Sequence, residues 1–341
     1  MGMNNYFQDN YNANSSRICG IENRRTKVRG IIPTIFNKKG LILVLLTALV
    51  SGFSIFINSI GVREFDSSIF TFLKNSLVAA MLFAVILAAG NFSELKALKI
   101  KQWLQLALIG LIGGSIPFLL YFKGLQMATG AVSGFIHKTM FLYVAVFALI
   151  FLKEKITKGV FIGVSLLMLG NYLLLKPDFN LSSGHILIFI AVLFWAAEAT
   201  FAKHILNEMS GNIVAFGRMF FGSLFILIFL SAAGKISLIE RLSLTHYMWI
   251  GLTSLFLLLY VVSFYNGLKY VKVTTAACIL SLGQPITLIL SFIFNGKSLT
   301  LVQAVGILLI VAGVISAAWL AGILSYIGNF KFVGAEENGR N

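Results

Sequence analysis

Five ionisable residues stand inside long apolar runs: Lys74, His137, Lys138, Glu198 and Arg218. A charge near the centre of a membrane-crossing helix costs at least about 2.5–3.5 kcal/mol, so such groups face a cavity or a partner. The chemistry open to them is recognition and charge movement. Lys138, beside His137, could anchor a carboxylate or phosphate. The competing reading has Lys138 snorkelling to the interface and His137 satisfied by a backbone carbonyl. Successive helical residues point about 100° apart, so one of the two is expected to face a central cavity. Glu198, in the segment FWAAEATF, is the one acidic residue placed within an apolar run. It could carry a proton, bind an amine, or pair with a basic group such as Lys138. Lys74 and Arg218 read as gating or structural cations, with direct substrate contact as the alternative. Trp195, Tyr143 and Tyr265, with Tyr121, could complete a pocket or serve only packing and the interface. Pro285 frees a backbone carbonyl and bends its run, and Gln284 beside it can donate and accept.

No catalytic Ser/His/Asp set and no metal-ligand spacing is present, so neither an enzyme nor a cofactor is expected. The segment Asn295-Gly296-Lys297-Ser298 resembles the end of a phosphate loop, but Ser291 stands where the loop needs its first glycine. Cys19 lies in a polar tail and Cys278 in an apolar run, so no disulfide is expected. The remaining histidines, His185, His204 and His246, lie near run ends, where solvated or interfacial roles are expected.

The elements that hold these residues follow from composition. Apolar residues make up 58% of the 341 and charged residues 11%, against about 25% charged in a soluble domain. That excludes a soluble globular protein and a disordered chain. Ten apolar runs of membrane-crossing length fall near 40–60, 68–90, 103–122, 130–152, 157–175, 184–206, 212–233, 247–267, 273–294 and 300–324. Connections are short, so neighbours are antiparallel, and the runs lack the alternation of barrel strands. The fold class is therefore an all-α integral membrane protein with ten transmembrane helices.

The net charge of +15 would suggest nucleic acid in a soluble protein; here it fits basic residues gathered at the cytoplasmic face. With the first residue inside, eighteen Lys and Arg fall on the inner side and six on the outer. Both termini are thus expected in the cytoplasm, with residues 1–39 and 325–341 as polar tails. No apolar stretch precedes residue 40, so the first run reads as an uncleaved insertion signal. A prokaryotic inner (plasma) membrane is the expected location.

The two halves repeat. Shifting by 144 residues brings Gly40 onto Gly184, Glu64 onto Glu208, Phe72 onto Phe216 and Lys74 onto Arg218. A shift of 143 brings Gly124 onto Gly267, Thr157 onto Thr300, and Gly163 and Gly170 onto Gly306 and Gly313. Five is an odd number of crossings, so residues 40–175 and 184–324 form two inverted-topology repeats. Such repeats build secondary transporters, with the substrate near the midplane between them.

Several motifs then carry a family resemblance: the basic residue early in each second run (TFLKNSL, AFGRMFF), the aromatic–x–Gly–Leu ends of each third run (YFKGL, FYNGL), Gln284-Pro285, and Glu154-Lys-Ile-Thr157. The chain resembles the EamA type of the drug/metabolite transporter superfamily over residues about 40–324. It departs where Leu142 stands opposite Pro285 and Lys297 replaces the acidic residue before Thr300. The resemblance implies a gradient-linked carrier or facilitator, often an exporter of amino acids or related metabolites. An amino acid or organic anion is the expected substrate. A cationic amine or drug anchored on Glu198 is the alternative, with a lipid flippase a third reading. The expected partners are a small-molecule substrate and the lipid bilayer, not nucleic acid. The small-residue pairs Gly110/Gly114, Gly130/Gly134 and Gly159/Gly163 read as packing within the bundle and leave room for a homodimer.

Overall fold

The computed structural model describes residues 38–61, 66–128, 130–178, 180–296 and 298–320. The polar tail up to residue 37, with Cys19, and the tail from 325 lie outside the described residues, as do Arg63, Glu64 and Lys297. Among the described residues, ten helices are long and apolar enough to cross a membrane. Spans 1 to 5 are Lys38–Asn58, Ser67–Ala88, Ile100–Met127, Ala131–Phe151 and Lys158–Leu175. Spans 6 to 10 are Ser183–Ile205, Gly211–Ala232, Leu244–Leu268, Val273–Phe294 and Leu301–Ala318. No strand occurs among the described residues. Span 3 is longer than its apolar run, because Lys101 and Lys123 are tolerated near its ends. Large apolar side chains such as Ile42, Leu301 and Leu308 point outward, exposed by 63%, 82% and 68%. On a soluble protein such a surface would aggregate; around a bundle of spans it meets lipid.

Helix starts follow ordinary capping chemistry. Thr157 Oγ1 accepts from Val160 N at 3.3 Å to open span 5, and its repeat partner Thr300 accepts from Gln303 N at 3.3 Å to open span 10. Asp66 Oδ1 accepts from Ser68 N at 2.9 Å and Ile69 N at 3.3 Å to open span 2. Its carboxylate also pairs with Lys235 at 2.7 Å. Burial acts to raise the Asp66 pKa, but the Lys235 contact and the two backbone donors outweigh it, so the pKa is lowered.

The inverted repeat is visible in close packing. A methyl added to Gly163 would lie 2.7 Å from Gly313 O, and one added to Gly313 would lie 2.9 Å from Gly163 O. Gly170 and Gly306 meet in the same reciprocal way, at 2.8 and 2.9 Å. Spans 5 and 10 therefore cross backbone to backbone through equivalent residues, which only glycine permits. Of the small-residue pairs, Gly114 and Gly163 pack inside the bundle, against spans 7 and 10.

Among the described residues, spans 3, 4 and 9 are interrupted along their length, and span 10 ends in a π-helical turn at Ser316–Leu320. Span 9 breaks at Ser281–Leu282, between helices Val273–Leu280 and Gly283–Asn295. Pro285 has no N–H for the Ser281 carbonyl, which accepts instead from Gln284 N at 3.3 Å. Span 4 breaks at Thr139, 143 residues earlier, between Gly130–Lys138 and Met140–Phe151. It has no proline; the Thr139 hydroxyl donates to Ile136 O at 2.7 Å and Leu142 N donates to Thr139 O at 2.9 Å. Span 3 passes through a π-helical turn at Gly110–Ser115. Such bulges rearrange the carbonyl ladder, often at functional sites.

Candidate functional site

The π turn of span 3 is the hub of the buried polar groups. Gly113 O accepts from Trp195 Nε1 at 3.2 Å and from Arg218 Nη2 at 3.1 Å. The next carbonyl, Gly114 O, accepts from Asn75 Nδ2 at 3.1 Å. Spans 2, 6 and 7 thus converge on two successive carbonyls. Glu198 lies against Gly113 so closely that a methyl there would overlap the Glu198 Cγ and lie 3.3 Å from Arg218 Nε. From span 8, the Tyr265 hydroxyl donates to Glu198 Oε1. Arg218 interacts electrostatically with Glu198, Tyr265 and Tyr260. Glu198, Arg218 and Tyr265 are 2%, 7% and 0% exposed. The carboxylate therefore accepts from a phenol and lies in the field of the Arg218 guanidinium. Among the described residues neither Arg218 nor Lys138 comes within ion-pair distance of it, so the pairing with Lys138 that one reading of the sequence offered is not formed. Arg218 Nε has no hydrogen-bond partner among the described residues.

The other cations are differently placed. Lys74 Nζ sits 4.7 Å from the centre of the Phe70 ring, one turn away on its own helix. Lys138 ends the first half of broken span 4, and among the described residues no carboxylate lies within ion-pair distance of it. His137 turns toward Tyr121 and Trp195, with ring centres 5.2 and 5.4 Å away, while Tyr121 and Trp195 stand 5.4 Å apart. Trp195 thus joins the aromatic group to the Gly113 hub. Tyr143 packs on the same buried cluster as Trp195 and Tyr121, with its ring against Phe189 at 5.5 Å. Gln284 and Pro285 open the second half of span 9.

One face of the bundle is laced between the repeats. Glu154, in the connection between spans 4 and 5, accepts from Val273 N at 3.0 Å and from the Thr274 hydroxyl at 2.7 Å. A carboxylate at the start of span 9 suits the positive end of that helix. Within the second repeat, Lys203, ending span 6, donates to Leu268 O at 2.8 Å and Lys269 O at 3.1 Å at the end of span 8. Glu94 Oε1 accepts from Ser210 N at 2.7 Å. Sequence reasoning assigned no role to Glu154, Lys203 or Gly113. For Glu154 the signal was present: the acidic residue appears in one repeat and Lys297 replaces it in the other.

Ten spans in two inverted repeats, with broken helices and a charged cluster inside, define a multi-pass membrane protein of the transporter kind. The EamA-like transporter family matches at residues 38–176 and again at 182–319, and the chain belongs to that family. It is similar to an "Uncharacterized transporter in cobO 3'region" from Sinorhizobium sp, 28% identical over 130 residues, which are 38% of this chain and 92% of the relative. An "Uncharacterized transporter" from Archaeoglobus fulgidus is 24% identical over 147 residues, 43% of this chain and about half (51%) of the relative's length. A solved crystal structure covers 84% of this chain and 99% of its own, with a TM-score of 0.68 at 17% identity, which is a likeness of fold.

Proposed function

We propose that the protein is a secondary transporter that exports a small organic anion, such as an amino acid or another carboxylate, by alternating access between its repeats. One observation carries the anionic preference. Glu198 already accepts from Tyr265 and lies in the field of Arg218, whereas Lys138, at the break in span 4, has neither a carboxylate ion pair nor a carboxylate acting on it among the described residues. A lone cation inside a span is stabilised when an anion arrives, and a broken helix offers backbone groups to help hold it. A cationic amine would have to compete with Arg218 for Glu198. The aromatic surfaces of Tyr121 and Trp195 would suit an amine, but the His137 ring packs against both.

In this reading, exchange of access requires the Glu154 and Glu94 ties to break and re-form, since both join one repeat to the other. The basic excess on one side supports cytoplasmic termini in a plasma or inner membrane.

The test compares extracellular metabolites from cells expressing wild type, Lys138→Ala, Glu198→Gln or empty vector at matched membrane abundance. A carboxylate- or phosphate-bearing solute should accumulate outside with wild type and be lost with Lys138→Ala. An amine that accumulates and disappears only with Glu198→Gln would replace this reading with cation export.

A further inference from the structure

Away from the Gly113 hub, a cavity of about 610 Å³ opens between spans 4, 5 and 6. Its walls are largely apolar, with Val132 and Ile136 on span 4, Met168 on span 5, and Ile186 and Phe189 on span 6; Thr139 and Tyr143 on span 4 add two hydroxyl-bearing side chains. Ile186 is 61% exposed, so this wall reaches the outer, lipid-facing surface of the bundle. From Val132 to Tyr143 a helix rises about 16 Å, close to half of the ~30 Å hydrocarbon thickness. The groove is thus about one leaflet deep, running from the start of span 6 to beyond the break in span 4.

The mouth carries polar groups, and one of them is unpaired. His185 is 2% exposed and lines the cavity. Its Nδ1 accepts from Ser182 N at 2.8 Å, while the Ser182 hydroxyl donates to Met127 O at 3.0 Å. Nδ1 is therefore the acceptor nitrogen, and the neutral ring carries its hydrogen on Nε2. Nε2 has no hydrogen-bond partner among the described residues. A buried donor without an acceptor calls for one. Of the solvated or interfacial role expected for His185, the solvated half does not hold: the ring is buried and folds back as half of a capping box at the head of span 6.

We propose that this groove binds one membrane phospholipid, with an acyl chain along the apolar wall and a glycerol ester carbonyl accepting from His185 Nε2. The fit has three parts: a depth of about one leaflet, a largely apolar wall open to the bilayer, and an unpaired donor near the start of span 6. The site is separate from the Gly113 hub and does not depend on the transport reading.

The test is native mass spectrometry of the full chain released from nanodiscs of defined phospholipid into mild detergent. His185→Glu keeps an acceptor for Ser182 N and removes the donor. His185→Gln keeps both functions. Ile186→Trp fills the groove from its wall. Thermal unfolding of each variant confirms that it is folded. Wild type and His185→Gln should retain one phospholipid per chain. His185→Glu should retain about tenfold less, the weight of one hydrogen bond, and Ile186→Trp should retain none. Equal retention in His185→Glu and Ile186→Trp overturns the proposal. So does a wild type that carries no lipid, or one whose retained mass is detergent or a water-soluble metabolite.

Discussion

Arg218 and Lys74 occupy the same position in the two repeats, yet their surroundings differ. Around Arg218 stand Glu198, Tyr265 and the Gly113 carbonyl. The same shifts of 144 and 143 that align the repeats place Ser54 opposite Glu198, Phe122 opposite Tyr265 and Phe256 opposite Gly113. Lys74 accordingly has no carboxylate at the equivalent place and lies over Phe70. The backbone plan is shared, but the charge-compensating chemistry was kept or acquired in one copy only. Inverted repeats explain why a cation sits at both positions; they do not make the two cations do the same work.

The largest effect should come from breaking the compensated side. Removing one member of a buried charged group leaves the other unpaired and costs about 3–5 kcal/mol. Arg218→Met should lower stability by that order in denaturant or thermal unfolding. Lys74→Met should cost nothing or stabilise, because it removes a desolvated charge that has no carboxylate partner among the described residues. Equal losses for the two would erase the distinction between the repeats. The double variant Glu198→Ala/Arg218→Met should lose less than the sum of its single variants, since the two residues act together.

Next in size is the hub itself. Gly113→Ala drives a methyl into Glu198 and should cost about 1–3 kcal/mol. Gly134→Ala, whose methyl would meet only Leu175 at 3.8 Å, should leave stability near wild type. Thermal unfolding of the pair measures the difference directly. A smaller effect belongs to Asp66, whose replacement by alanine removes a cap and should cost about 1 kcal/mol. Its folded pKa lies below its ordinary value of 3.8. The contribution is therefore complete above the ordinary value and fades as pH falls through the lowered one. The gap between wild type and Asp66→Ala should be full at neutral pH and shrink in acid.

Much of this architecture was legible in the sequence because apolar runs of membrane length admit few other folds. The ten spans, the repeat register and the break before Pro285 all followed from composition, spacing and the missing proline N–H. The matching break at Thr139 was not legible, since a threonine hydroxyl turning back on Ile136 leaves no distinctive pattern. The π turn at Gly110–Ser115 was hidden for a related reason: the sequence GLIGGS reads as close packing, and only the third dimension shows its carbonyls serving three other spans. Intramembrane charge singled out Glu198 and Arg218, and the aromatic pattern singled out Trp195 and Tyr265. Their grouping around Gly113, with Lys138 left outside, depends on helix rotation that periodicity in a uniformly apolar segment cannot fix.

The most direct test of the central claim is a ligand-induced thermal shift on the purified chain, wild type against Lys138→Met, over a panel of small carboxylates and size-matched amines. A ligand that binds the folded state stabilises it by about 2.7 kcal/mol at a hundred times its Kd. The account predicts that at least one anionic solute raises the wild-type midpoint by several degrees, that Lys138→Met abolishes the shift, and that the amines have no effect. An amine that stabilises wild type and Lys138→Met alike, with no response to any anion, would contradict it.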